Sequence, residues 1–419
     1  MRLVSRLLVA ALFSLPAAVF SAEPARWLKG NLHTHSLWSD GDDYPEMIAD
    51  WYKRNGYQFL GISDHNVLQE GEKWFELKQP VSIKGEVVQR GGGAVLEKYL
   101  ARFGSDWVEQ RVNGQKREVR LKPLAEYRSL LEEPGKFLMI PAEEVTGAWK
   151  VARTETTPER GGPVHINAIN LRDLLPGHTA ASAVEVMRRT LDEVHAQRER
   201  TGQPMFAHLN HPNFRSGVTA EEILQVERQR FFEVYNGHPG VVNDGDALHL
   251  SMDAMWDVVL TFRLADRQLG LVWGIGTDDS HNYHRIGLGQ SNSGRGWVMV
   301  RARHLTAESV VRAMEDGDFY ASSGVILADV RRAPGRLAVE IQPEPGVTYV
   351  TRFIGTRRGF DRSSVELVPP APTKAGVRTV PHRRYSADVG AVLSEVSGTR
   401  AEYIFKGDEL YVRAKIISS

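Results

Sequence analysis

Histidine, aspartate and glutamate recur in this chain in short, separated groups. The first is His33-Thr34-His35, followed by Asp40 in Ser39-Asp40-Gly41. Then come Asp64-His65, Glu143-Glu144, His165, the pair His208 and His211, and Asp278-Asp279-Ser280-His281. Two histidines at i and i+2 point the same way on extended backbone, because strand side chains alternate faces. His33 and His35 can therefore reach one ion together. Imidazole and carboxylate donors suit Zn, Mn and Fe, and the chain has no cysteine to add thiolate selectivity. Several carboxylates allow more than one ion to be bridged. Ions roughly 4 Å apart activate water and stabilise both the attacking and the leaving oxygen of a hydrolysis. No protein nucleophile is then required, and the sequence holds no Gly-x-Ser-x-Gly elbow, no Walker loop and no His-Glu-x-x-His helix.

These groups need a scaffold that brings them together. Strand-like runs are Trp27 to His33, Tyr57 to Ser63, Lys136 to Ala142, Val164 to Leu171, Pro204 to His208, Phe231 to Tyr235 and Leu271 to Thr277. Helical patterns lie between them: Pro45 to Asn55 with Gly56 just past its end, Ser182 to Arg200, a helix opening at Thr219 with a capping box to Glu222, and Asp253 to Gln268. Seven strand candidates, mostly joined by helices, predict an α/β protein with a parallel sheet or barrel, whose site lies at the C-terminal ends of the strands. The ligand-type residues fall at such ends, with His165 at the start of its strand. Residues 69–135 form a long charged insertion with helical patterns over 94–103 and 123–133. It reads either as a lid or substrate-specificity element or, equally, as surface decoration. Residues 330–419 read as a β-rich C-terminal region, with strand-like runs at Leu337 to Ile341, Thr348 to Ile354 and Glu409 to Ile417.

The text around these groups resembles the PHP family, the polymerase and histidinol phosphatase metal-dependent phosphoesterases. The resembling stretches are Asn31-Leu32-His33-Thr34-His35-Ser36 with Ser39-Asp40-Gly41, Gly61-Ile62-Ser63-Asp64-His65-Asn66 and Ile140-Pro141-Ala142-Glu143-Glu144-Val145-Thr146. His165-Ile166-Asn167, Asn210-His211-Pro212 and Gly276-Thr277-Asp278-Asp279-Ser280-His281 continue the series, in order, over about residues 27–325. The resemblance implies a distorted seven-stranded β/α barrel spanning 22–329, carrying the 69–135 insertion, with two or three divalent metal ions (Zn, Mn or Fe). It implies His33, His35, Asp40, His65, Glu144, His165, His211, Asp279 and His281 as ligands. His208 competes with His211 for one position, and His211 is preferred because it precedes Pro212. Asp64 and Asp278 are candidates to orient ligands, or simply to cap turns. Arg285 is a candidate to bind a phosphate oxygen, or a plain surface arginine. His238, after the sixth strand candidate, is a candidate to line the pocket.

The activity so implied is hydrolysis of a phosphate mono- or diester by a metal-activated water. A metal-dependent hydrolase of a non-phosphate bond and a non-catalytic metal- or ligand-binding barrel are the alternatives. The expected partner is a small-molecule phosphoester. Lys+Arg and Asp+Glu each number 52, which argues against a dedicated nucleic-acid binder. Arg2 and Arg6 precede an apolar stretch from Leu7 to Phe20 that is too short to span a bilayer. Residues 1–21 therefore read as a signal peptide, which predicts a periplasmic or secreted protein with no membrane span once it is removed.

Overall fold

The computed structural model describes residues 24–77, 81–83, 86–88, 90–152, 160–367 and 382–419. The candidate signal peptide, residues 1–21, lies outside them. The strands that carry the candidate site are, in chain order, β1 (Arg26–Asn31), β2 (Phe59–Leu60), β3 (Leu138–Met139), β4 (Ala142–Val151), β5 (Arg160–Ile169), β6 (Phe206–Leu209), β7 (Phe231–Asn236) and β8 (Trp273–Thr277). Two further strands, β9 (Trp297–Ala302) and β10 (Phe319–Ser322), flank a helix over Ala307–Glu315 and have no counterpart in the sequence reading.

The result is a mixed α/β fold. One sheet has the order β10-β9-β1-β2-β3, with β1, β2 and β3 parallel. A second sheet has the order β4-β5-β6-β7-β8, extended at the β4 edge by the short strand Thr179–Ala180. The mostly parallel expectation holds for β6, β7 and β8 but needs correction at β5, which pairs antiparallel with both β4 and β6. For β4 and β5 the reason is length: a parallel crossover needs a dozen or more residues, and too few separate Val151 from Arg160; β6 then resumes the direction of β4 after the helix Ala183–Thr201. Isolated parallel bridges, Thr34 with Ser280 and His65 with Glu144, join the two sheets beside the candidate ligands.

Strand periodicity sets the layers beneath the site. Leu28, Phe59, Ile140, Ile169, Phe206, Phe231, Ile275 and Val298, drawn from both sheets, meet in one apolar cluster. Gly30 is required there, because a Cβ would lie 2.0 Å from the Phe59 ring. Two residues further along three of these strands, on the same face, stand His208, Glu233 and Thr277. The helices Ala183–Thr201 and Met252–Phe262 cover the outside of the second sheet with Val186, Met187, Met255 and Val259. Serine caps both helices, accepting from Glu185 N and Ala254 N. The capping box at Thr219 and Glu222 forms with both bonds.

The insertion has a core of its own. Its helix Ala94–Phe103 places Val95, Leu96 and Tyr99 against Leu37, Trp38 and Tyr44 of the loop after β1. Arg90 donates to the carbonyls of Ser39 (2.7 Å) and Gly41 (3.2 Å), so the insertion clamps the segment that carries Asp40. Beyond the last helix, the chain forms two three-stranded antiparallel sheets that share Val339, Phe353, Ala401 and Tyr403. This unit is tied back by Arg413, whose guanidinium pairs with buried Asp257 of Met252–Phe262 at 2.8 and 2.7 Å. Among the described residues no helix is long and apolar enough to cross a membrane.

One buried acid reports on how the insertion docks. Glu46, in the first turn of Pro45–Arg54, accepts from Tyr99 Oη (2.6 Å) and Trp107 Nε1 (3.0 Å). Burial pushes its carboxyl up to about 7 from an ordinary 4.5, against the pull of those two bonds and of Lys122. The folded state thus holds this proton more tightly than the unfolded chain. Stability falls as pH rises from about 4.5 to about 7 and stays lower above that. A shift of that size corresponds to an upper bound of about 3 kcal/mol. Glu46→Gln is expected to raise the urea midpoint relative to the parent at pH 8 and to lose most of that advantage at pH 5. An equal gap at both pH values would refute the assignment.

Candidate metal centre

Glu144 lies at the middle of the histidine cluster. Its Oε2 is 3.3 Å from His33 Nε2, 3.1 Å from His35 Nε2 and 3.1 Å from His65 Nδ1. Its Oε1 is 3.0 Å from His165 Nδ1 and 3.4 Å from His211 Nε2. Asp279 faces the same histidines from just past the end of β8: Oδ1 is 3.3 Å from both His33 Nε2 and His35 Nε2, and Oδ2 is 3.9 Å from His211 Nε2. Asp40, half exposed, closes the outer edge, 3.3 Å from His281 Nε2 and 3.6 Å from both His35 Nδ1 and His65 Nε2. The antiparallel course of β5 puts His165 opposite Thr146, two residue pairs from Asn167–Glu144 and so on the same face of the sheet. His165 thus lies in the middle of β5 and not at a strand start as expected, because β5 begins at Arg160; the hairpin with β4 carries it to Glu144.

Four donor groups result: His35, Asp40, His65 and His281; His33, His35 and Glu144; His33, His211 and Asp279; His65, Glu144 and His165. His33, His35, His65 and Glu144 each belong to two of them. The donor chemistry fits divalent ions. So does the state of the atoms, because His33 Nε2, His35 Nε2, Glu144 Oε2 and His165 Nδ1 are buried without a hydrogen-bond partner. Buried polar atoms in proteins are otherwise nearly always paired.

The charges reinforce one another. Burial disfavours protonated His33 and His35, but Asp279 and Glu144 outweigh it; His33 is held well above the ordinary imidazole range and His35 is raised to about 10. In return, despite burial, the histidines hold Glu144 and Asp279 well below the usual carboxylate range, and Asp40 is lowered in the same way. These are anionic carboxylates wrapped in imidazole, an arrangement that a cation completes.

Surrounding groups orient several of these side chains. Buried Glu233 binds His33 Nδ1 at 2.7 Å, so the ring's Nε2 is the atom turned to Glu144 and Asp279. Thr146 Oγ1 lies 2.6 Å from His65 Nδ1, and Asn210 donates to Glu144 Oε1 at 2.8 Å. His211 and Asp279 adopt φ of 26° and 49°, left-handed backbone that non-glycine residues seldom enter. Such strain persists where neighbours over-determine it; here His211 N donates to Glu233 and Asp279 N to His33 O. Gly41 has no room for a side chain, since a Cβ would meet His35 O at 2.3 Å.

The structure separates the remaining sequence candidates. His208 does not join the groups. It is buried one layer down beside Glu233, neither ring nitrogen has a hydrogen-bond partner, and burial lowers its pKa to about 4. Asp64 is buried and accepts from Ser36 N, Ser36 Oγ, Ser39 Oγ and Gln69 Nε2, which folds the loop between His35 and Asp40. Asp278 accepts from the backbone N–H groups of Gly294, Arg295 and Gly296 and from Tyr52 Oη. Both acids hold the loops around the candidate ligands, and neither belongs to a donor group. Arg285 is exposed on the loop after His281. His238 stands at the rim, its ring 5.6 Å from that of His281; burial is the main cause holding its pKa down to about 4. Gly240 N donates to its Nδ1, which leaves the ring proton on Nε2. Glu233 was missed by the sequence reading; its signal was a lone carboxylate in the apolar run Phe231-Phe232-Glu233-Val234.

No protein-family model and no curated protein sequence matches the chain. Among solved structures, it is similar to a two-domain protein from Bacteroides vulgatus containing a predicted PHP-like metal-dependent phosphoesterase. The two share 16% identity over 95% of this chain and 92% of that one, with a TM-score of 0.38.

Proposed function

We propose that the protein is an exported metal-dependent phosphoesterase that hydrolyses a small phosphate mono- or diester. The observation that carries this reading is the sharing of His33, His35, His65 and Glu144 between adjacent donor groups, which suits two or three divalent ions side by side. The proposal extends to the scaffold, a distorted seven-stranded barrel; the bridges Thr34–Ser280 and His65–Glu144 and the apolar cluster drawn from both sheets support it.

Divalent ions would supply Lewis acidity to water and charge neutralisation to phosphoryl oxygens. The ions would be held by His33, His35, Asp40, His65, Glu144, His165, His211, Asp279 and His281. Glu233 and Thr146 orient the imidazoles, and the anionic Glu144 and Asp279 offset the cationic charge of a filled site. His238, neutral with its proton on Nε2, offers a hydrogen bond to a phosphoryl oxygen at the rim. Export rests on the N-terminal residues 1–21.

The test is metal content together with hydrolysis of bis(p-nitrophenyl) phosphate, p-nitrophenyl phosphate and p-nitrophenyl acetate by the mature protein, with His33→Ala/His35→Ala as control. Bound ions and phosphoester turnover that the double variant loses would support the reading. Turnover of the acetate alone would move the activity to a non-phosphate bond. A folded protein that stays inactive after Mn or Zn is added would refute it. N-terminal sequencing of protein recovered from the periplasmic fraction tests export.

A further inference from the structure

Beside the metal centre, between the helix Pro45–Arg54 and the loop after His281, lies a cavity of about 170 Å³. Its lining includes Asp43 and Asn282-Tyr283-His284, from two segments that each follow a candidate ligand, Asp40 and His281. These segments are stitched together, with Asp42 N donating to His281 O and Tyr283 N to Asp42 Oδ1, both at 2.9 Å. The walls are Met47 and Trp51 on one side and Ile286 on the other, and Lys98 reaches in from the insertion helix Ala94–Phe103.

The polar groups of this cavity are ordered and lie outside the ion-binding groups. Lys98 Nζ lies 3.3 Å from His284 Nδ1. An ammonium only donates, so Nδ1 accepts and the imidazole proton sits on Nε2, which lies 3.2 Å from Asp43 Oδ2 without a hydrogen bond between them. Among the described residues no carboxylate forms an ion pair with Lys98, and only one of its three N–H donors is engaged. The apolar wall is unusual for a surface: Trp51 is 37% and Ile286 81% exposed. The loop bearing Ile286 is nonetheless firmly tied, through Asn292 to the backbone of Asn282, Arg285 and Gly287.

We propose that this cavity receives the alcohol side of the ester: a flat, ring-sized apolar group that carries an anionic substituent, packed on Trp51 and paired with Lys98. The size fits, since a cavity of roughly 150 Å³ holds a benzene ring. The charge fits because Lys98 is the cation left without a carboxylate at the mouth. Placement fits because the lining residues Asp43 and Asn282–His284 follow Asp40 and His281, which share one donor group. This inference rests on the phosphoesterase reading and makes the 69–135 insertion a specificity element.

The test compares kcat/KM for 4-carboxyphenyl phosphate with that for phenyl phosphate in the parent, Lys98→Ala and Lys98→Arg, with metal content measured for each. An ion pair with an exposed ammonium predicts that the ratio falls about two- to fivefold in Lys98→Ala and recovers in Lys98→Arg. An unchanged ratio in metal-replete Lys98→Ala would overturn the proposal. A binding arm separates it from the reading beneath it: 4-phosphonobenzoate, whose C–P bond resists hydrolysis, should change tryptophan fluorescence in the parent but not in Trp51→Phe. If no ester is turned over but that difference is present, the phosphoesterase reading fails and the cavity remains a site for aryl anions. If the parent and Trp51→Phe respond alike, the cavity proposal fails whatever the enzyme does.

Discussion

Glu144→Gln is expected to strip the centre of metal and to lower phosphoester turnover by more than about 100-fold, beyond the 10–100-fold typical of disturbing a group that merely supports a ligand. Glu144 supplies an oxygen to two of the four donor groups and lies within 3.4 Å of a nitrogen from each of five histidines. The amide keeps the shape but removes the charge, and its NH2 must face either His165 and His211 or His33, His35 and His65. Either orientation sets a donor where a cation would bind. The control is the neighbouring residue. Glu143 lies on the opposite face of β4, accepts from Leu175 N at 2.9 Å, and is pushed by burial up to about 7. A glutamine there mimics its protonated form, so Glu143→Gln should keep its ions. The measurements are metal stoichiometry by mass spectrometry and the rate on bis(p-nitrophenyl) phosphate. Equal metal content in Glu144→Gln and the parent would contradict the central position given to this carboxylate.

The contrast between Glu143 and Glu144 also shows what was legible in the sequence. An acidic pair on a strand must split between two faces, but composition does not say which member turns inward; the resemblance chose Glu144, and the fold turns it to the histidines. His33 and His35 were legible by spacing alone, since i and i+2 share a face, and both ring Nε2 atoms converge on Glu144 Oε2. The helix at Ala94–Phe103 was legible from its period. Its task was not, because the grip of Arg90 on the Ser39 and Gly41 carbonyls joins residues far apart in sequence. The hairpin of β4 and β5 was obscured in another way: β5 overlaps the strand-like run Val164 to Leu171, but β4 (Ala142–Val151) was not read as a strand, so the antiparallel turn between them had no second partner in the sequence. Asp64 and Asp278 lie beside ligands in sequence, yet their carboxylates are consumed by loop N–H and hydroxyl donors, a partition that depends on tertiary contacts.

Glu233 was the least legible member of the site, and its substitution is the second large effect expected. Glu233 is fully buried and uses all its acceptor positions: Oε1 takes His33 Nδ1 and Thr277 Oγ1, each at 2.7 Å, and Oε2 takes His211 N and Asn236 Nδ2, each at 2.8 Å. Both flanking residues of its strand are apolar, so period 2 alone could not place it inward. Glutamine cannot satisfy these four contacts. If its oxygen keeps His33 and Thr277, its NH2 confronts the His211 N–H and the Asn236 amide, leaving buried donors unpaired at roughly 1–3 kcal/mol each. If the amide turns over, its NH2 donates to His33 Nδ1 and drives the ring proton onto Nε2, the nitrogen that must be free to bind an ion. Both arrangements damage the site, one through the backbone of His211 and the other through the tautomer of His33. Glu233→Gln is therefore expected to weaken metal binding by roughly 10–100-fold, the range for the carboxylate behind a ligating histidine, with turnover falling in step at limiting metal. Calorimetric titration of Zn or Mn into metal-free protein measures the first effect. Addition of excess metal discriminates the causes: lost affinity is restored by saturation, whereas a collapsed centre is not. An affinity within twofold of the parent would show that Glu233 only fills space beneath His33.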